Sequence, residues 1–199
     1  MSKTIKIFVP IFLSFILIYS YVTPFIKTGE SISQKVFRLH ILANSDSDED
    51  QSLKLKVRDK ILTKSESLFI NCKNLNDVIN VSKNNIDYFE QLANECIKEN
   101  GYNYETKVYV DKEYFNTREY EKITLPSGVY NALKIEIGEA KGHNWWCVMF
   151  PAICLPAVSD DEINRILNED EIELINNNNK YEIRFKIVEI YEKIKSKLQ

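Results

Sequence analysis

The sequence predicts an α+β fold: a mixed or antiparallel sheet covered by helices, preceded by one N-terminal hydrophobic helix that serves export or anchoring. Three observations carry this. Ile7 to Ile26 holds no charged residue. The remainder switches between stretches of period two and stretches of period 3.6. Gly and Pro number only five each in 199 residues, so the chain is mostly regular structure rather than linker.

The N-terminal run of about 20 residues rises to about 30 Å as a helix, the thickness of a bilayer core. Lys3 and Lys6 precede it and Lys27 ends it. Ser20 and Thr23 make poor small-x-small cleavage positions, because Ile18 and Tyr21 stand before them. An uncleaved anchor is therefore preferred to a cleavable signal peptide, and the leading lysines place the N-terminus in the cytoplasm. Residues 1–26 are expected as signal peptide or membrane anchor, 27–35 as a tether, and 36–199 as a single extracytoplasmic α+β domain.

Val36–Ala43 has the apolar density of a central strand. Asn44–Gln51 then reads as a helix start, with capping-box spacing at Ser47 and Asp50 or at Asp48 and Gln51, and an acidic first turn. Leu53, Val57 and Ile61 continue that helix, with Lys54, Lys56, Arg58 and Lys60 as its solvated face. A second helix is expected from about Asn76 to Glu99, ended by Asn100-Gly101. Tyr104–Val110 alternates as a strand, and Tyr114–Lys122 does so more weakly. Val129–Ile137 is another strand, with Leu133, Ile135 and Ile137 inward. Gly138–Gly142 is short enough to form a hairpin with Trp145–Phe150. Asp160–Leu167 and the amphipathic stretch Tyr181–Leu198 close the chain as helices, with Asn176–Asn179 a polar turn.

Charge excludes one class of partner. The chain has 26 Lys+Arg against 29 Asp+Glu; without Lys3 and Lys6 the balance is 24 against 29, a net of −5. Acidic and interspersed, this is no electrostatic footprint for nucleic acid. Four cysteines in an exported chain favour disulfides. Cys147 and Cys154 are seven apart with Pro151 between, and closing so short a loop stabilises by about 2.5 kcal/mol, less any strain. Cys72 and Cys96 could bridge two helices, although Cys96 suits a buried thiol on an apolar helix face.

Chemical constellations are weak. Asp46, Asp48 and Asp50 alternate like the start of an EF-hand loop, but Gln51 and Val57 stand where that loop needs Gly and Glu. His40, His143, Cys147 and Cys154 are zinc-ligand types at a spacing that matches no common structural site. Cys147 with His143 could serve nucleophilic catalysis only with an orienting group, for which Asn144 is the one obvious candidate. Trp145 and Trp146 are adjacent and so point to opposite faces of a strand; one can pack while the other is presented as an interface anchor.

Two segments then act together. Phe37–Gln51, running on to Asp59, resembles the opening motif of the stage II sporulation protein R family. Gly142-His143-Asn144-Trp145-Trp146-Cys147, with Phe150-Pro151 and Cys154, resembles its second signature. The resemblance covers about residues 34–155 closely and the C-terminal helices more loosely. It implies a signalling protein of endospore formation, made in the forespore and exported to the space between the forespore and mother-cell membranes. There it would activate a membrane-embedded aspartic protease of the mother cell that processes a sigma-factor precursor. An uncleaved N-terminal segment would anchor it in the forespore membrane. The implied role is that of a ligand, not an enzyme, with no cofactor, metal or small-molecule substrate. The motif residues His40, Asn44, Ser45, Asp46, His143, Asn144, Trp145, Trp146, Cys147 and Cys154 carry over as recognition or structure. Of these, His143, Asn144, Trp145, Trp146, Asp46, Asn44 and His40 are candidates for partner binding and Cys147 and Cys154 for a disulfide. The alternative is an extracytoplasmic hydrolase or thiol enzyme using Cys147 and His143, which requires Cys147 to be a free thiol.

Overall fold

The computed structural model describes residues 3–120, 123–151, 160–176 and 182–198. Its elements in chain order are α1 (Lys3–Ser33), β1 (Phe37–Leu42), α2 (Asp48–Phe69), α3 (Leu75–Asn84), α4 (Ile86–Glu99), β2 (Thr106–Phe115), β3 (Arg118–Glu119), β4 (Thr124–Leu125), β5 (Gly128–Ile137), β6 (Asn144–Phe150), α5 (Asp160–Ile166), α6 (Glu169–Ile175) and α7 (Glu182–Leu198). They gather into two compact units. One comprises Ser33–Glu113 and Val129–Asn168; the other comprises Met1–Ile32, Tyr114–Gly128 and Glu169–Gln199.

In the first unit a four-stranded sheet runs in the order β2-β5-β1-β6. β1 is parallel to β5, with Leu39 beside Leu133 and Ile41 beside Ile135. It is antiparallel to β6, with His40 beside Trp146 and Leu42 beside Asn144. Period-two alternation turns Phe37, Leu39, Ile41, Leu133, Ile135 and Ile137 to one face, where they join Leu53, Val57 and Ile61 of α2 and Phe89, Ala93 and Ile97 of α4 in one core. Each fully buried Val, Leu, Ile or Phe side chain among these contributes about 1.5–3 kcal/mol. The sheet is mixed and its helices lie on that face, the predicted α+β class.

Three expectations need correction. Gly138–Gly142 does not close a hairpin, because β1 lies between β5 and β6. The connection must cover two strand spacings, roughly 10 Å, and it crosses over the chain leaving β1. The helix expected over Asn76–Glu99 is two helices, broken where Asn85 takes φ −118 and its Nδ2 donates to the Val81 carbonyl at 2.8 Å. Lys54, expected in solvent, is 3% exposed. It follows Asp50 by four and precedes Val57 and Ile61 by three and seven, inside the apolar stripe.

In the second unit α1 carries the apolar run, with Phe8, Phe12, Phe15 and Leu17 exposed rather than in a core. From Ile7 it is long and apolar enough to cross a membrane. Pro10 and Pro24 lie within it. Ser14 and Thr23 hydroxyls donate to the Pro10 and Tyr19 carbonyls at 2.7 Å, and Thr28 donates to Pro24 at 3.0 Å; such back-bonding eases proline in apolar helices. At its C-terminal end Ser31 donates to buried Glu171 of α6 at 2.6 Å. β3 pairs antiparallel with β4, and a bridge joins Ile123 to Asn176. The short acidic helix α6 has no counterpart among the sequence expectations.

Candidate functional site

The crossing at the end of β1 brings the two signature segments together. The β5–β6 connection lies on the chain that leaves β1, and backbone groups join them: Gly142 N–H donates to the Ala43 carbonyl at 2.9 Å and Lys141 N–H to the Asn44 carbonyl at 3.2 Å. Asn44 also accepts the Glu139 N–H on Oδ1 at 3.0 Å. The approach is so close that a Cβ on Gly142 would stand 2.1 Å from the Ser45 carbonyl oxygen. A Cβ on Gly138, at φ +57, would stand 2.3 Å from Asn44 Oδ1. Both glycines are required here by lack of room, and Gly138 by its left-handed backbone as well.

Beneath this junction lies a buried polar network. Asp50, 4% exposed, accepts from Asn44 Nδ2 at 2.8 Å and from Ser45 Oγ at 2.5 Å. Burial alone would raise its pKa; bonds from Ser45, Asn44 and Tyr104 outweigh that and hold the carboxyl below its ordinary value. The helix cap is present, since Ser47 Oγ accepts the Asp50 N–H at 3.2 Å. The reciprocal half of a capping box is not: the Asp50 carboxylate turns to Asn44 and Ser45, and Ser45 Oγ accepts the Ser47 N–H at 3.2 Å. Gln51 Nε2 donates to the Ser45 carbonyl at 2.8 Å.

Lys54 supplies the second buried charge. Its Nζ donates to Gln51 Oε1 at 2.5 Å and to the His143 carbonyl at 2.8 Å. Burial pushes its pKa down, with Asp46 opposing and Arg58 adding to the effect. Above these groups Asp46 Oδ1 accepts the His143 N–H at 2.6 Å and meets His143 Nδ1 at 2.5 Å. This pair faces solvent, the side chains 56% and 78% exposed. A buried, hydrogen-bonded base thus presents an exposed carboxylate–imidazole pair.

The opposite face of the sheet holds His40, 3% exposed. Its Nδ1 lies 2.5 Å from Glu113 Oε2 and its Nε2 lies 2.5 Å from Asn144 Oδ1. Lys134, beside it on β5, reaches Glu113 at 3.9 Å and Glu136 at 3.4 Å. The two tryptophans diverge as expected. Trp145 packs against the helix-side core with the Arg58 guanidinium 4.5 Å over its ring, while the Trp146 ring lies 5.8 Å from that of His40.

Of the candidate residues, Asn44, Asp46, His143 and Asn144 therefore stand at one junction, with His40 and Trp146 joined to it through Asn144 and the β1–β6 pairing. Trp145 lies on the other face, under Arg58. Cys147 is 2% exposed on β6; Cys72 and Cys96 are free buried thiols; Cys154 lies outside the described residues. Among the described residues no three His, Cys, Asp or Glu side chains stand close enough to hold a metal ion.

Sequence reasoning misses the supporting roles of Asp50, Lys54, Gly138 and Glu113, placing the first two on a helix and Gly138 in a turn. Helical arithmetic could have found Lys54. Nothing local could have found Glu113, which lies 73 positions from His40.

Comparison with known proteins places both segments inside one matched range. The model of the family described as Stage II sporulation protein R matches residues 33–160. The chain is similar to the curated Stage II sporulation protein R of Bacillus subtilis (strain 168), with 34% identity over 131 residues. That match spans 66% of this chain and 58% of the relative, less than two thirds of the latter's length. No solved structure matches.

Proposed function

The chain belongs to the stage II sporulation protein R family, and from that premise we propose that it is an exported signal of sporulation rather than a catalyst. It passes from the forespore into the intermembrane space and activates a membrane-embedded aspartic protease of the mother cell, which then trims a sigma-factor precursor. α1 directs export and stays as the anchor in the forespore membrane. The surface that engages the protease is the junction of residues 44–46 with 142–144.

One observation carries this reading above all: buried Asp50 and Lys54 hold the exposed Asp46–His143 pair on a fixed base. Burying charged groups is costly unless each is bonded, and here the bonding leads upward to a solvent-facing pair. Fixed, exposed polar groups beside a Trp-bearing strand suit recognition, in which pre-organisation lowers the cost of binding. Trp146 and Asn144 extend this surface. The alternative thiol chemistry needs Cys147 free, whereas Cys147 is disulfide-bonded.

Reconstitution tests the proposal. The chain is co-produced with the protease and the sigma-factor precursor in a non-sporulating host, and precursor size is followed. Processing that depends on this chain is the expected result. An unprocessed precursor, with all three proteins made and this one exported, would refute sufficiency of the signal.

A further inference from the structure

The C-terminal helix α7 carries an apolar stripe that its own unit leaves uncovered. One face of α7 packs on the C-terminal end of α1. Val188 is 1% exposed, and the bare Cα of Gly29 admits it: a Cβ there would lie 3.3 Å from Val188 Cγ1. Lys195 pairs with Glu30 and also lies 3.8 Å from Glu192. A different face, roughly a third of a turn round, bears Ile190 at 55%, Tyr191 at 39% and Ile194 at 57% exposure, with Ile187 half-buried beside them. Lys186 and Lys193 occupy the remaining, polar side. An apolar stripe rimmed by lysines marks an interaction surface rather than a solvated one.

The position of α7 on α1 says what covers the stripe. Glu30 follows Ile26, the last residue of the uncharged run, by four positions, about 6 Å along a helix. The polar layer on each side of a bilayer core is roughly 5–8 Å deep. A helix docked at Gly29 and Glu30 therefore lies at headgroup depth. Tyr191 on α7, 39% exposed, is an amphipathic ring of the kind that favours the interface. The charge agrees: Glu182–Leu198 contains five Lys and Arg against three Glu, although the whole chain is −3.

We propose that α7 is a membrane-surface helix, lying in the headgroup layer of the bilayer that α1 enters, with Ile187, Ile190, Tyr191 and Ile194 dipped into the acyl boundary. The proposal rests on α1 being an anchor. It gives the chain a second hold on the lipid surface. Both α7 and most of α1 lie outside the matched range 33–160.

The test uses the full chain in vesicles of phosphatidylethanolamine and phosphatidylglycerol, with an environment-sensitive fluorescent amino acid at position 194 or, separately, at position 186. Lipids carrying a nitroxide just below the headgroup are added, and anchoring is read by flotation after an alkaline wash. The expected result is loss of roughly half or more of the emission at 194, with little change at 186, as for a helix half-sunk in the interface. Equal responses at the two positions in a chain that still floats would overturn the role of α7 while leaving the anchor intact. Quenching at 194 that requires a second protein rather than nitroxide lipid would overturn it too. A chain that washes off the vesicles would remove the anchor and the proposal together.

Discussion

At the scale of single residues, room and charge decide the site. Gly142 is the tightest position, since any side chain there would overlap the Ser45 carbonyl. Gly142→Ala is expected to destabilise the chain by about 2–3 kcal/mol, the cost of overpacking a closed contact, and to part the two signature segments; denaturant unfolding measures the first and hydrogen exchange at Lys141 and Gly142 the second. Asp50 governs the acid side. Its folded pKa lies below the ordinary value, so its contribution is fully present above about 3.9 and is lost as pH falls further through the folded value. Asp50→Asn should therefore lower stability by about 2 kcal/mol near neutrality, where a charged acceptor is lost, and should flatten the acid limb of the pH–stability curve. An unchanged acid limb in that variant would show that the carboxylate is not what responds. The chemistry of this network was legible only in fragments. Asn44, Asp46 and His143 belong to motifs that stand out in the sequence, whereas Lys54 looked like one more lysine on a charged helix face, because alternating Lys and Arg suggest solvent until the helical angles are counted.

At the scale of elements, local signals are reliable where the cause is local. The Ser47 cap, the Asn100-Gly101 stop and the inward face of β5 all follow from neighbouring residues, and all are present. Gly101 takes φ +83, and the Tyr102 N–H returns to the Ile97 carbonyl at 3.1 Å, as a left-handed helix end requires. Ser47→Ala should cost about 1 kcal/mol, the usual worth of an N-cap, measurable as a lower denaturation midpoint with an unchanged slope. Errors arise where the cause is remote. Residues 138–142 have the length and glycines of a hairpin turn, yet β1 takes the place between β5 and β6 that a hairpin would close. The break at Asn85 was visible only as an Asn-Asn pair, because apolar spacing continues on both sides of it. α6 is too short and too acidic to show a period.

At the scale of the whole molecule, the family-matched residues hold the sheet, the three covering helices and the junction of the two signature segments, while the chain's two ends fold with each other in the second unit. The topology explains why two motifs about a hundred residues apart meet. A connection between strands that flank β1 has to cross the end of β1, and the loop leaving that strand is waiting there. From this follows the central claim, that the Asp46–His143 pair and its neighbours are a preformed recognition surface of an exported signal. The most direct measurement is precursor processing in the reconstituted system with Asp46→Ala/His143→Ala, alongside a thermal melt of the same variant. Both side chains are largely exposed, so the melt should move little, while processing should fall at least about tenfold, as losing roughly 1.4 kcal/mol or more of binding would give at limiting signal. Full processing by a normally folded double variant would contradict the claim and move the contact elsewhere on the chain.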